Sequence, residues 1–154
     1  MVADWAERIY QESPETFYSN RTLGVITPYR SQIAMIRKEL QSKGMKVISG
    51  GTDNHLLLLD VYNSLGITGK EAEQLLDEVH ITVNKNAIPG DPEKPFVTSG
   101  IRIGTAAVTS RGFEAQDMVD IAEYIKLAAT DFENSADYIR ENVARICNKY
   151  PLYK

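Results

Sequence analysis

The residues best suited to chemistry lie in one stretch, Val83 to Thr105, which reads VNKNAIPGDPEKPFVTSGIRIGT. Within it Arg102 stands between two isoleucines, and the alternation of a β-strand places its side chain on the face opposite to theirs. A guanidinium group on a rigid strand suits bidentate binding of a carboxylate. The alternative is an unliganded arginine on a solvent-facing strand, which the residue pattern alone favours.

A polar cluster precedes the arginine. Asn84, Lys85 and Asn86 supply hydrogen-bond donors and acceptors at the end of a predicted strand. Such a cluster can hold a ligand, although a polar entrance to a loop is the commoner explanation. The loop that follows, residues 89–95, contains three prolines that restrict its backbone before any ligand binds.

Other candidate groups point away from catalysis. His55 and His80 have no cysteine or carboxylate at the spacing of metal ligands, so the sequence predicts no metal site. Gly50 and Gly51 precede no helix and are interpreted as a turn, not as a dinucleotide fingerprint. Cys147 lies near the apolar stripe of a predicted helix, so it is expected to be a packing residue.

Composition limits the class of protein. The chain has 154 residues, one domain's worth, with 43% hydrophobic and 25% charged residues. A net charge of −4 argues against a nucleic-acid surface, and the single cysteine suits a reducing compartment. No apolar run reaches the roughly 20 residues that span a bilayer, and the N-terminus has no signal-peptide core. We expect a cytoplasmic, soluble domain with no membrane or nucleic-acid partner.

Hydrophobic periodicity predicts the order of the elements. From residue 22 to 105 the order is β-α-β-β-α-β, which is the ferredoxin-like pattern and indicates a two-layer α+β sandwich with additional N- and C-terminal helices. The short spacing of the second and third strands predicts an antiparallel pair, while the order of the other strands stays open. The strands of that order are predicted at 21–29, 45–49, 55–62 and 100–105, and a further short strand around 81–83 leads into the proline-rich loop. Helices are predicted at 3–12, from Thr27–Pro28 to Gly44, from Thr68, around 118–125, and from Ser135 to Pro151.

Several long strings carry a family resemblance. These are SGGTDNHLLLLDV, GITGKEAEQLLDEVHITVNKNAIPGDPEKPFVTSGIRIGT, TSRGF and ICNKYPLY. From about residue 43 to 153 the chain resembles the C-terminal, small domain of serine hydroxymethyltransferase. That family uses pyridoxal phosphate to transfer the hydroxymethyl carbon of serine to tetrahydrofolate, which leaves glycine. The resemblance implies that Arg102 binds the amino-acid carboxylate and that Asn86 lies at the folate site. Ala106 departs from the pattern, since many members have proline there.

The same resemblance implies what the 154 residues do not supply. In this family a large domain carries the lysine that bonds covalently to the cofactor, and the residues before Lys43 do not resemble that domain. The hard chemistry belongs to the cofactor. We therefore expect no bound cofactor and no catalysis by this chain, with Arg102 and Asn86 as inherited substrate-binding residues.

The front of the chain resembles a different family. Over about residues 3–40, and above all in LGVITPYRSQIAMIRKEL, it is similar to the second RecA-like domain of superfamily 1 helicases. The phosphate-binding GxxxxGK[ST] loop is not in the sequence, so we expect no ATPase or helicase activity. Two families joined near residues 40–44 indicate an engineered chimera, with a natural gene fusion as the alternative.

Three functions follow as hypotheses. The first is a chimeric folded domain without catalysis of its own. The second is a small-molecule binding module, in which Arg102 and the 84–96 loop still take an amino-acid carboxylate or a folate. The third is a fragment of an active transferase that needs a large domain from another chain. A homodimer formed through the surface that the large domain buries in the parent family is a further alternative.

Overall fold

The computed structural model describes residues 28–48 and 55–151, with the backbone alone for residues 28–30. The helix predicted at 3–12 lies outside these ranges. So does the strand predicted at 21–29, except that residues 28 and 29 belong to a helix.

The described residues form helices and short strands that alternate along the chain. The strands are β1 (Lys46–Val47), β2 (Leu56–Asp60), β3 (Asn84–Asn86) and β4 (Gly100–Gly104). The helices are α1 (Pro28–Ser42), α2 (Val61–Leu65), α3 (Gly69–Glu78), α4 (Ala106–Arg111), α5 (Ala115–Thr130) and α6 (Phe132–Lys149).

The four strands make one antiparallel sheet in the order β1-β2-β4-β3. The predicted antiparallel pairing of β1 with β2 is confirmed, and so is the α+β class with helices packed on a sheet. Because β2 pairs directly with β4, no further strand runs between them. The inner positions of this sheet are therefore filled by β2 and β4, and β1 and β3 lie at its edges among the described strands.

One prediction about the sheet was wrong. The strand expected at residues 81–83 is found at Asn84–Asn86, where it pairs with β4. Residues 79–81 instead close the end of α3, since His80 has a φ of 65° and the N–H of Ile81 donates to the carbonyl of Leu76 at 2.9 Å. The apolar residues that resembled a strand are thus the C-terminal closure of a helix.

Two short helices were also not predicted. The strand expected at 55–62 ends at Asp60, whose side chain accepts the N–H of Asn63 at 3.0 Å and so caps α2. After β4, the chain turns into α4 and ends it at Gly112, which has a φ of 95°. Both helices have six residues or fewer, too short for a hydrophobic period to identify them.

The core lies between one face of the sheet and the helices. Alternate strand residues, Leu57 and Leu59 on β2 with Ile101 and Ile103 on β4, point into it and are buried. Helix α1 contributes Ile33, Ile36 and Leu40, each at most 1% exposed. The apolar spacing that predicted α1 is confirmed by this packing, and α5 is the element that α1 contacts most.

The C-terminal end of α6 is held by one arginine. The guanidinium group of Arg111 donates to the carbonyls of Tyr150 at 2.9 Å and Cys147 at 3.1 Å, and carbonyls at a helix end otherwise lack partners. The ring of Phe113 lies 4.8 Å from the ring of Tyr150, measured between their centroids. Cys147 packs against the core, as predicted. None of the helices in the described ranges is long and apolar enough to cross a membrane.

The first residue of helix α3 packs closely against the backbone of β4. The capping box between Thr68 and Glu71 is present as predicted. At the next residue, Gly69, a Cβ atom would overlap the carbonyl oxygen of Gly100 and the hydroxyl of Thr98. Glycine is therefore required at the start of this helix by the closeness of the strand.

We expect the Gly69→Ala variant to lose about 1–3 kcal/mol of unfolding free energy through overpacking, although alanine is the better helix former. The neighbouring Lys70→Ala change, at an exposed helical position, should stay within about 0.5 kcal/mol of the parent. Urea denaturation followed by circular dichroism measures both. Equal midpoints for the two variants would contradict the close approach.

Candidate functional site

Strand β4 separates the site from the core. Ile101 and Ile103 are buried, whereas Arg102 is exposed on the opposite face of the sheet. The predicted orientation of the three side chains is confirmed. This opposite face, hereafter the open face, carries Arg102 near its middle because β4 is paired on both sides.

The strand register places the predicted site residues beside one another. Arg102 lies opposite Leu58 on one side and Asn84 on the other, and its guanidinium group donates to the Asn84 side-chain oxygen at 3.3 Å. Asn86 lies opposite Gly100, two residues along the same edge strand. Diagonal neighbours of this kind are about 7–8 Å apart. The structure thus brings Arg102 and Asn86 onto one face within reach of a single small ligand.

The lysine between the two asparagines does not join them. Lys85 points to the helical side of the sheet, where its Nζ atom lies 2.7 Å from a carboxylate oxygen of Glu73 on α3. Its backbone N–H also donates to Glu73 at 3.0 Å. The hydrogen bond from the Lys85 side chain, with that from its backbone, lowers the pKa of Glu73. The polar cluster predicted from the sequence is therefore divided between two faces.

A single carboxylate organises the proline-rich loop beside the site. Asp91 accepts the N–H groups of Ile88, Glu93 and Ser99 at 2.9–3.0 Å and the Ser99 hydroxyl at 2.6 Å. Burial raises the pKa of Asp91, but the Ser99 hydroxyl and the three backbone donors outweigh it and lower this pKa to about 2. Sequence reasoning missed this role, although an aspartate that bonds the backbone two residues on is a known turn signal.

The loop closes one end of the open face. Ile88 folds back over Gly100, where an added Cβ atom would meet the Ile88 side chain at 2.7 Å and the carbonyl oxygen of Asn86 at 2.8 Å. Thr98, with a φ of 57°, directs its hydroxyl to the carbonyl of Gly100 at 3.3 Å. The backbone beside Asn86 is therefore fixed by packing on both sides.

The positive charge of the Arg102 guanidinium group is exposed on the open face. In the described part of the chain no carboxylate forms an ion pair with this arginine. By contrast, Lys46 on the edge strand β1 lies 3.3 Å from the buried carboxylate of Asp60. A planar guanidinium with exposed N–H donors, which among the described residues donates to the neutral amide of Asn84, is suited to an anionic ligand.

The described ranges contain eight lysines, the residue type that attaches covalently to an aldehyde cofactor. Such a lysine must lose its proton, which a desolvated site or a neighbouring cation promotes and a carboxylate opposes. Lys38, Lys70 and Lys94 are exposed, and Lys126 is half-buried on α5. The other four each lie within 4 Å of a carboxylate oxygen: Lys43, Lys46, Lys85 and Lys149.

Metal binding finds no support in residues 28–48 and 55–151, where no group of three histidine, cysteine or acidic residues could hold an ion. His55 and His80 are both exposed there and belong to no such group.

A sheet with a buried face, an arginine on the open face and an ordered loop beside it defines an α+β domain. The family model of serine hydroxymethyltransferase matches residues 27–125. The chain therefore belongs to the serine hydroxymethyltransferase family. The matched range contains Asn86, Asp91 and Arg102. It begins at residue 27, not near Lys43, so α1 falls inside it and overlaps the range with helicase resemblance.

We expect the 87–99 loop to depend on the charge of Asp91. Its pKa in the folded chain, about 2, lies below the value of about 3.9 for an unfolded aspartate. The stabilisation is thus complete above the unfolded value and is lost as the pH falls through about 2. The protection of the Glu93 and Ser99 backbone amides, measured as their exchange rates relative to the intrinsic rates at each pH, should fall over that interval.

The Asp91→Asn variant should show fast exchange at the backbone amides of Glu93 and Ser99 already at pH 7. The reason is that the side-chain oxygen of asparagine accepts these hydrogen bonds less strongly than a carboxylate does. Asp77→Asn, at an exposed position on α3, is the matched control and should leave both amides protected. Protection that persists in the Asp91→Asn variant would show that the prolines alone order the loop.

Proposed function

We propose that this chain is a folded module derived from the small domain of a serine hydroxymethyltransferase and that it performs no serine turnover by itself. The observation that carries the proposal is the environment of the described lysines. Lys46 and Lys85, on the edge strands of the described sheet, are each engaged in an ion pair with a carboxylate. Arg102 can hold a carboxylate, but a bound amino acid would face no group of these ranges able to activate its carbon.

We infer further that the chain is a deliberately recombined protein, in which a helicase-like front segment completes the small domain. Helix α1, shared by the two resemblances, is built into the core through Ile33, Ile36 and Leu40. Its Gln32 side chain bonds the carbonyl of Phe113, and Lys43 just beyond it pairs with Glu123 of α5. These contacts support a junction that preserves packing, whichever family supplied the helix.

We expect the purified chain, supplied with pyridoxal phosphate, serine and tetrahydrofolate, to release no glycine above the buffer blank. We also expect no visible absorbance band of cofactor bound covalently to a lysine. Reduction with borohydride followed by mass spectrometry provides an independent check, since it would fix any covalent adduct. Turnover or a lysine adduct in the isolated chain would contradict the proposal. An authentic full-length member of the family is the positive control.

A second function is favoured by one observation, the exposed guanidinium of Arg102 beside Asn84 and Asn86, which pairs with no carboxylate of the described residues. On this alternative the open face binds small carboxylates such as glycine, serine or the glutamyl group of a folate. An exposed ion pair contributes only about 0–1 kcal/mol. We therefore expect a dissociation constant no tighter than about 1 mM for the amino acids.

Titration with glycine, followed by NMR of the arginine side chains, tests this alternative. Shifts should appear at Arg102 and in the backbone of β3, and should disappear in the Arg102→Gln variant. Arg145→Gln removes an exposed arginine from α6 and should leave the titration unchanged. If glycine produces no shift at Arg102, the residue is an unused inheritance and the proposal of a non-catalytic module stands alone.

A further inference from the structure

A cavity of about 340 Å³ lies on the helical side of the sheet, away from Arg102. Its walls come from β4 and from helices α1, α4, α5 and α6. Most lining side chains are apolar, and several, including Ile103, Met118 and Ile125, are buried. His80 and Thr82 also line the cavity and are exposed, so they mark its opening. This size falls within the range of about 300–1,000 Å³ typical of ligand pockets.

One polar group in the wall is left without a partner. Thr105 lines the cavity and is 1% exposed, and its hydroxyl makes no hydrogen bond within the described residues. Its position at the start of α4 is one where threonine commonly caps the helix, yet the side chain makes no capping bond here. The backbone of Thr105 is hydrogen-bonded, since its N–H donates to the backbone carbonyl of His55 and its carbonyl accepts the backbone N–H of Thr109. The unmet hydrogen bond is thus confined to the hydroxyl.

Buried polar groups in native proteins are nearly always satisfied, so an orphan hydroxyl in a cavity wall indicates a missing partner. A water molecule needs two to four polar neighbours to be held in such a place. The buried side chains around Thr105 in this cavity are apolar. A ligand could form a hydrogen bond with the hydroxyl through one polar group and pack its carbon atoms against the apolar side chains. Apolar cavities of only about 150 Å³ already bind benzene.

The remaining walls define the chemistry of the ligand. Phe113 and Met118 offer an aromatic ring and a thioether, both of which favour contact with another ring. Arg111 also lines the cavity, and its guanidinium group donates to the carbonyls of Cys147 and Tyr150. Placing a carboxylate among these mostly apolar walls would be costly without an ion-pair partner, so the walls favour a neutral ligand.

We propose that this cavity binds a small, uncharged aromatic molecule with a single hydrogen-bonding group, which the hydroxyl of Thr105 meets. The site is independent of the function proposed for the open face, because it lies on the other side of the sheet and uses none of the same residues.

The test is a titration of the whole chain with phenol and, separately, with toluene, which has nearly the same shape but no hydrogen-bonding group. Methyl NMR of Ile103, Met118, Ile125 and Val143 reports on occupancy. Both compounds should shift these methyl groups. Thr105→Val, which keeps the shape and removes the hydroxyl, should weaken phenol about five- to tenfold and leave toluene unchanged. Thr105→Ser, which keeps the hydroxyl, should retain the affinity for phenol.

Three results would overturn the proposal. The first is the absence of shifts at the cavity methyl groups with either compound at millimolar concentration. The second is a phenol affinity that is equal in the parent and in Thr105→Val. The third is an equal loss of phenol and toluene binding in the valine variant, which would show a change in cavity shape instead of a lost hydrogen bond. Thr105→Ser provides the comparison if the valine variant fails to fold.

Discussion

The pairing of β4 on both sides is the constraint on which the rest of this domain depends. With β2 and β3 as its neighbours, β4 cannot rotate, so Ile101 and Ile103 must enter the core and Arg102 must leave it. The same strand meets the start of α3 at Gly100 and leads into α4 through Thr105. A one-residue slip of this strand would bury the guanidinium group and expose both isoleucines.

Much of the fold was predictable because its signals are local. The apolar spacing of α1 and the capping box of α3 both occur within a few residues, and both predictions are confirmed. The errors arose where a short segment could serve two structures. Ile81 and Val83 alternate as in a strand, but the hydrogen bond of Ile81 to Leu76 belongs to the closure of a helix. Tertiary pairing, which no local pattern encodes, assigned the strand to Asn84–Asn86.

The candidate site was predictable to a similar extent. The outward direction of Arg102 followed from strand alternation, and its placement beside Asn86 needed the register of β3 with β4. The division of the NKN cluster, with Lys85 turned toward Glu73, depends on a helix twelve residues earlier in the chain. Asp91 was missed because its partners include Ser99, eight residues away, and only the loop conformation brings them together.

The edges of the described sheet have a consequence for association. The edge strands β1 and β3 contain two and three residues, and a lysine on each is paired with a carboxylate. Short, charged margins offer little unpaired backbone to a second chain, which is how natural sheets avoid ribbon-like aggregation. The broad surface around Arg102, with half-buried Leu56 and Leu58, is less protected. Any assembly of these modules should therefore form by stacking face against face through side chains, not by extending the sheet from one molecule to the next.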